Sequence, residues 1–170
     1  MISRPGMMIG QAEHAVQGRM LNVGDHAPDF QLTANDWTMK TLADYKGKVK
    51  VLSLVPSLDT RVCSAQTRRF NEEAAAFGGN LVILTVSADL PYAQSRWCGA
   101  EGIERVITLS DHKDMSFSDA YGVHVIDMRI CQRACFVVDQ HDVVQHVDYV
   151  PIIGNEIDFI GALSAVQKLI

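Results

Sequence analysis

The sequence predicts a single α/β domain in which helices cover a central β-sheet. Two almost continuous apolar runs, residues 49–55 and 81–87, have the length and β-branched content of strands buried on both faces. Each run is followed by a polar loop and a stretch of helix-forming residues, an alternation that is typical of α/β domains. The length of 170 residues suits one domain, and a hydrophobic content of 48% can supply a full core.

The helices are predicted from composition and from their end signals. After the first strand, the segment SAQTRRFNEEAAAFGG predicts a helix that ends at two glycines. After the second strand, Asp89 is placed to cap a helix through PYAQSRWCGAEG, with Pro91 in its first turn. Asn155 is placed to cap a final helix. The apolar stripe of that helix consists of Phe159, Leu163, Val166 and Ile170.

The remaining elements are short. Residues 21–48 combine turn residues with brief alternations, residues 106–109 predict a third strand, and residues 117–121 predict a helical turn. Residues 133–138 and 143–149, separated by a polar turn, predict a β-hairpin. Neither an internal repeat nor a linker interrupts this order, so residues 21–170 are expected to form one domain.

Composition and the N-terminal segment exclude several classes of function. A net charge of −5 argues against a surface for nucleic acid or anionic lipid. No apolar run reaches the roughly 18 residues that a membrane helix needs. Residues 1–20 lack the apolar centre of a signal peptide. We therefore expect a cytoplasmic protein whose residues 1–20 form a loose arm or an edge hairpin.

The cysteine spacing leaves the role of the thiols open. Without a secretory signal, the four cysteines at positions 63, 98, 131 and 135 do not predict a disulfide framework. A zinc site would need paired CxxC-type spacings, whereas Cys131 and Cys135 form a CxxxC without a second pair. Redox or nucleophilic use of one or two thiols and simple burial are the alternatives.

The segment PSLDTRVC, residues 56–63, is the most informative for chemistry, because it connects a buried strand to a helix. Unpaired N–H groups and the positive end of the dipole at a helix start favour the thiolate, which is the attacking form of cysteine. Thr60 places a hydroxyl within reach of the Cys63 sulfur or of an incoming oxygen. Pro56 fixes the exit of the chain from the strand and can shield the thiolate from water.

Arg133 is the candidate group for stabilising the charge that develops in the transition state. It is the first residue of the apolar strand RACFVV, where a charge is costly without a partner. The alternative interpretation is that Cys63 is an ordinary buried thiol and Arg133 an edge-strand charge. The spacing of these residues alone does not decide between the two interpretations.

A family resemblance adds to these observations. PxxxTxxC after a buried strand resembles the active-site motif of peroxiredoxins. Five segments resemble the bacterial thiol peroxidase subfamily in order and spacing, from about residue 23 to the C-terminus: VGDHAPDFQLT, VLSLVPSLDTRVCSAQTRRFNEEAA, SRWCGAEGIERVITLSD, AYGV and RACFVVD. The resemblance implies a thioredoxin-like peroxiredoxin fold, a central mixed β-sheet flanked by helices. It also implies a thiol-dependent peroxidase in antioxidant defence that needs no metal, haem, flavin or other cofactor.

The same resemblance implies a role for each motif residue. Cys63 matches the peroxidatic thiol, which becomes a sulfenic acid on attacking a hydroperoxide, and Pro56, Thr60 and Arg133 match the other active-site positions. Cys98 matches the resolving cysteine, which forms an intrachain disulfide that thioredoxin reduces. Alkyl hydroperoxides and hydrogen peroxide are the implied substrates, and a homodimer with the active-site loop near its interface is the implied assembly.

Two features depart from the pattern of the subfamily. Residues 1–20 do not resemble its N-terminal hairpin, and Cys131 and Cys135 lie outside its motifs. We expect these two cysteines to be small apolar residues on or beside a strand, the alternative being an auxiliary redox or metal role together with His124. The side chains expected to form an apolar substrate rim are Phe30, Leu58 and Val62.

Other functions on the same fold make different demands on the sequence. A disulfide oxidoreductase would want CxxC at the helix start, but Gln66 occupies the position of the second cysteine. A non-catalytic redox sensor or chaperone would use the same disulfide, and a metal-binding module would use Cys131 and Cys135.

Overall fold

A computed structural model describes residues 3–170 of the chain as a layered α/β structure. Within these residues the strands are β1 (Ser3–Ile9), β2 (Ala12–Gln17), β3 (Gln31–Ala34), β4 (Met39–Thr41), β5 (Val49–Leu54), β6 (Leu81–Ser87), β7 (Val106–Ser110), β8 (His124–Val125), β9 (Ile130–Cys131), β10 (Ala134–Val138) and β11 (Val144–Tyr149). The helices are α1 (Arg61–Ala74), α2 (Pro91–Glu101), α3 (Ser116–Ala120) and α4 (Phe159–Leu169).

The central sheet is mixed, as predicted. Its strand order is β11-β10-β5-β6-β7-β3-β4, in which β5, β6 and β7 are parallel and the other neighbours are antiparallel. A smaller antiparallel sheet has the order β1-β2-β8-β9. The parallel strands carry the apolar runs of the sequence because both faces of the central sheet are covered.

Strand β5 shows why its sequence is almost continuously apolar. Leu52 and Leu54 face the larger core cluster, which also contains Phe136. Val49 and Val51 face the opposite layer, where α1 and α4 supply the covering side chains. Lys50 is completely buried on this strand, and its Nζ lies 2.7 Å from Oδ1 of Asp142. A buried ammonium needs such a partner.

Two of the predicted helix caps are wrong. Helix α2 begins after Leu90 without a side-chain cap, because the Asp89 carboxylate accepts hydrogen bonds from the loop after β5 instead. Helix α4 is capped by Asp158, whose Oδ1 accepts from the Gly161 N–H at 2.9 Å. Asn155 lies three residues too early, in the irregular segment between β11 and α4.

The N-terminal segment is paired rather than loose. Strands β1 and β2 form an antiparallel hairpin, and β2 also pairs with β8. Met7 and Val16 are buried against Val125, so tertiary contacts stabilise this hairpin. Residues 1 and 2 of the predicted segment 1–20 lie outside the described residues. Among the helices described, none has the length and apolar character required to cross a membrane.

Candidate active site

Cys63 lies in the first turn of α1, which begins three residues earlier than the sequence predicts. Thr60 is the N-cap, and its Oγ1 accepts a hydrogen bond from the Cys63 N–H at 3.3 Å. Because Thr60 caps the helix, the end of the predicted polar loop is helical from Arg61 onward. The Thr67 hydroxyl donates to the Cys63 carbonyl at 2.9 Å, and the cysteine has no exposed surface.

Arg133 reaches the Cys63 sulfur from the position immediately before β10. Its Nη2 donates to Cys63 Sγ at 3.2 Å and to the Ile153 carbonyl at 3.0 Å. Its Nη1 donates to Oε1 of Gln66 at 2.9 Å. The two residues are 70 positions apart in the chain, so the fold creates this contact.

The charge of Arg133 has no carboxylate partner. The side chain is 1% exposed, and within residues 3–170 no carboxylate oxygen lies within ion-pair distance of it. A buried cation is costly unless an anion compensates it. The Cys63 sulfur is the hydrogen-bond partner of Arg133 that can carry a negative charge, and its thiolate would complete the ion pair.

Two groups that accept hydrogen bonds from Arg133, the Gln66 side chain and the Ile153 carbonyl, are not predicted from the sequence. Gln66 lies one helical turn after Cys63, on the same face of α1, and its Nε2 donates to Ser53 Oγ at 2.8 Å. The spacing of three residues is the signal that could have identified it. The Ile153 carbonyl has no such signal, because every residue carries a carbonyl.

The loop between β5 and α1 is tied to the segment that precedes α2. Ser57 Oγ and the Leu58 N–H each donate to the Asp89 carboxylate at 2.8 Å. Pro56 is buried at the start of this loop. Thr60 is exposed, and its hydroxyl donates to the Ser57 carbonyl at 3.3 Å while accepting from Cys63. The loop therefore presents the Thr60 hydroxyl beside a buried sulfur.

Two clefts flank the first turns of α1. The larger, about 420 Å³, lies between α1 and α2 and is lined by Leu58, Thr60 and Trp97, among others. The smaller, about 90 Å³, is lined by Val62 and Gln66 on the opposite side of α1. The prediction that Phe30 belongs to an apolar rim is wrong. Phe30 lies in the main core, with its ring centroid 5.4 Å from that of Phe117.

Cys98 occupies α2 and adjoins the apolar cluster that contains Cys63. That cluster consists of Val55, Leu58, Cys63 and Trp97, with Cys98 and Ile103 packed against it. The Cys98 Sγ is half-buried and lies 3.5 Å from Oγ1 of Thr108. Burial raises the pKa of the Cys98 thiol, although hydrogen bonds from neighbouring polar side chains partly oppose the shift. The four cysteines are free thiols.

Cys131 and Cys135 are fully buried in strands β9 and β10. Burial raises the pKa of both thiols strongly, and nearby carboxylates add to the effect. His124 faces Cys131 across the strand pair, but its Nδ1 bonds Oδ1 of Asp119 at 2.7 Å. Within residues 3–170 no group of three His, Cys, Asp or Glu side chains is placed to hold a metal ion.

Comparison with known proteins identifies the family. The family model described as Redoxin matches residues 22–163. The chain belongs to the Redoxin family. This Redoxin-family chain is 53% identical over 151 residues to the thiol peroxidase of Oceanobacillus iheyensis, covering 89% of this chain and 92% of the relative. It is 49% identical over 153 residues to the thiol peroxidase of Bacillus subtilis, covering 90% and 91%.

Solved structures of known proteins agree with this assignment. The peroxiredoxin-like protein from Aquifex aeolicus superimposes with a TM-score of 0.90 at 32% identity, covering 99% of both chains. The thiol peroxidase from Chromobacterium violaceum gives a TM-score of 0.86 over 98% of both chains, and at 18% identity it supports the fold alone. The resemblance to thiol peroxidases and the thioredoxin-like fold are thereby confirmed. This Redoxin-family chain is a thiol-dependent peroxidase.

Proposed function

We propose that this peroxidase reduces alkyl hydroperoxides and hydrogen peroxide through a sulfenic acid on Cys63 and an intrachain disulfide with Cys98. Thioredoxin is the proposed electron donor, and residues 21–170 are the proposed catalytic domain. The observation that carries the proposal is the hydrogen bond from the buried Arg133 guanidinium to Cys63 Sγ. It joins a helix-start cysteine to a cation that lacks a carboxylate partner among residues 3–170.

In the first step the Cys63 thiolate attacks the terminal oxygen of the hydroperoxide. An S–O bond forms, the O–O bond breaks, and the departing alkoxide or hydroxide takes up a proton to leave as an alcohol or water. The sulfur is oxidised to a sulfenic acid while the peroxide is reduced. Arg133 stabilises the negative charge as it moves from sulfur to the leaving oxygen, which is the part of the reaction where a fixed donor lowers the barrier.

The proposed roles of Thr60 and Pro56 follow from their positions. The exposed Thr60 hydroxyl accepts from the Cys63 N–H and can exchange its bond to the Ser57 carbonyl for one to an incoming peroxide oxygen. Pro56 is buried at the start of the same loop, and its proposed role is to shield the sulfur from water. Leu58 and Trp97 line the larger cleft together with mostly polar and charged side chains, so the support for alkyl hydroperoxides as substrates is the similarity to thiol peroxidases.

In the second step the Cys98 sulfur attacks the sulfenic sulfur of Cys63. An S–S bond forms, and the hydroxyl oxygen leaves as water after protonation. A dithiol such as reduced thioredoxin then exchanges with the disulfide, which returns two thiols and leaves the donor oxidised. Helix α2 suits this step because it begins without a side-chain cap and buries only Pro91, Gln94 and Trp97. A helix with few anchors opens at low cost.

The proposed assembly is a cytoplasmic homodimer that serves antioxidant defence. The large side chains of Trp37, Leu90 and Tyr92 are exposed, and the rings of Trp37 and Tyr92 lie 4.9 Å apart. Leu90 directly follows Asp89, so this apolar surface adjoins the anchor of the active-site loop and suits a second copy of the chain. Light scattering on wild type and Tyr92→Asp checks the assembly: an unchanged mass would contradict an interface at this surface.

Peptide mapping after oxidation tests the reaction itself. Reduced protein is mixed with one equivalent of cumene hydroperoxide and digested under non-reducing conditions, and the expected product is a 63–98 disulfide. Cys98→Ser should keep the first oxidation, accumulate a sulfenic acid that dimedone traps, and lose turnover with thioredoxin. Cys135→Ser is the matched control and should retain turnover. A dominant 63–131 or 63–135 peptide would contradict the proposal.

A further inference from the structure

An irregular segment after β11, residues 150–153, holds one side of the Arg133 guanidinium. We call this segment the strap. The Ile153 carbonyl in the strap accepts from Nη2 of Arg133, the nitrogen that also donates to Cys63 Sγ. Because a guanidinium is planar and rigid, the position of one acceptor sets the direction of the other donor. The place of the strap therefore decides where Arg133 points.

The N-terminal hairpin fixes the strap through its backbone. The Met8 N–H donates to the Pro151 carbonyl at 2.7 Å, and the Ile153 N–H donates to the Met8 carbonyl at 3.1 Å. These two bonds form the bridge that places Met8 beside Ile152. The Ile153 side chain packs against the buried Met7 and Val16 of the hairpin. Strand β1 therefore holds the strap by its backbone on both sides of Ile152.

Gln132 makes a second link between the hairpin and the strap. Its side chain is 1% exposed, and its Nε2 donates to the Gly6 carbonyl at 2.6 Å and to the Val150 carbonyl at 3.0 Å. Its Oε1 accepts from Nη2 of Arg4 at 3.0 Å. The side-chain amide of Gln132 thus connects β1 to the strap. Because Gln132 immediately precedes Arg133 in the chain, the backbone of the arginine is joined to the same buried network.

From these contacts we propose that the hairpin β1–β2 is a positioning element of the active site, which acts on Cys63 through the strap and Arg133. Gln132 is the principal positioning residue. This inference rests on the proposed function of Arg133 and deepens it, because it assigns a role in the reaction to a segment that touches none of the reacting atoms. A shift of the strap would turn the shared Nη2 donor away from the sulfur.

The test compares hairpin variants in two backgrounds. Gln132→Met keeps the size of the side chain and removes its three hydrogen bonds. Gly6→Ala introduces a Cβ that would lie 2.5 Å from Nη1 of Arg4 and 2.8 Å from Cγ2 of Val16, which displaces the hairpin and the Arg4 guanidinium but keeps the Gln132 side chain itself. Glu13→Ala changes an exposed side chain on β2 and is the matched control. Each substitution is made in wild type and in Arg133→Ala.

The measurement is the second-order rate constant for oxidation of Cys63 without a reductant, followed by tryptophan fluorescence, with thermal unfolding to confirm a folded state. With Arg133 present, Gln132→Met and Gly6→Ala should each slow oxidation about tenfold, the effect of a small misplacement of a catalytic group. In Arg133→Ala the same substitutions should change the rate by less than about 1.5-fold, because residues that act through one another are not additive. Glu13→Ala should match its parent in both backgrounds.

The outcomes separate this inference from the proposed function. Equal slowing in both backgrounds, or wild-type rates in both hairpin variants, would contradict the positioning role while leaving the role of Arg133 intact. An unchanged rate in Arg133→Ala alone would contradict the proposed role of Arg133, and the positioning role with it.

Discussion

Cys63 and Cys135 have the same exposure and opposite electrostatic surroundings. Neither has exposed surface. Cys63 accepts a hydrogen bond from a guanidinium, whereas the pKa of Cys135 is raised by burial first and then by the carboxylates of Asp148 and Asp158. The comparison teaches that two thiols at the same depth in the fold can have opposite electrostatic surroundings. Under the proposed function this difference decides which of them reacts, since only the thiolate attacks.

Replacement of Cys63 tests the comparison most severely. Cys63→Ser should abolish peroxide reduction and preserve the fold, because the nearly isosteric hydroxyl stays protonated at neutral pH. Consumption of cumene hydroperoxide with thioredoxin and its reductase measures the effect, and circular dichroism confirms folding. Appreciable turnover in this variant would show that another thiol performs the attack.

Removal of the cation should make the surroundings of Cys63 resemble those of Cys135. Arg133→Ala should lower the second-order rate constant at least about tenfold, which corresponds to roughly 1.4 kcal/mol of lost transition-state stabilisation. Arg133→Lys should restore the rate only in part, because an ammonium cannot bond Gln66, Ile153 and the sulfur as a planar fork does. Stopped-flow measurement of oxidation gives the rate constants of both variants. Full activity in the lysine variant would contradict a requirement for the planar guanidinium.

Cys98 differs from Cys135 in having polar neighbours: burial raises its pKa, and neighbouring hydroxyl and amide groups oppose the shift. A raised pKa means less thiolate at a given pH. At pH 8, iodoacetamide should therefore alkylate Cys98 more slowly in the native reduced protein than in urea. The alkylation rate should also rise at higher pH than in the unfolded chain.

Thr108→Val removes the hydroxyl beside Cys98 Sγ and should move the pH profile of alkylation further upward. Mass spectrometry of the Cys98 peptide gives both profiles. Coincident native and unfolded profiles would contradict the assignment of a raised pKa.

The two structural cysteines should show the smallest effect on activity. Cys131→Ser and Cys135→Ser should keep turnover within about twofold, since neither thiol reacts in the proposed cycle. Their stabilities should differ, because a hydroxyl at position 131 finds Ser118 Oγ, which lies 3.2 Å from the sulfur. Urea unfolding should show a loss for Cys135→Ser that exceeds that of Cys131→Ser by about 1 kcal/mol, the cost of a buried unpaired hydroxyl.

The sequence predicts well wherever one local requirement dominates. Strands β5 and β6 coincide with their apolar runs because burial on both faces leaves no room for polar alternation. Thr60 is identified through its spacing from Cys63, and Arg133 through the cost of a charge in an apolar strand. The structure brings both to Cys63, although Arg133 lies 70 positions further along the chain.

Prediction fails where two uses compete for one side chain or where distant segments meet. Asp89 has the composition of a helix cap but binds the active-site loop instead. The hairpin β1–β2 has a weak local pattern, and its stability comes from contacts with the strap and β8. Ile153 contributes a carbonyl, so only the three-dimensional path of the backbone could reveal its role.

Gln66 distinguishes two chemistries that share one fold, dithiol exchange and arginine-assisted attack. It stands where a dithiol oxidoreductase has its second cysteine, and both ends of its amide are engaged, with Arg133 and with Ser53. A thiol at this position could not reproduce the two bonds, because it is shorter and a weaker donor and acceptor. The face of α1 that begins at Cys63 therefore accommodates either dithiol exchange or arginine-assisted attack. A lineage passing from one to the other must rebuild the arginine site as well as exchange one residue.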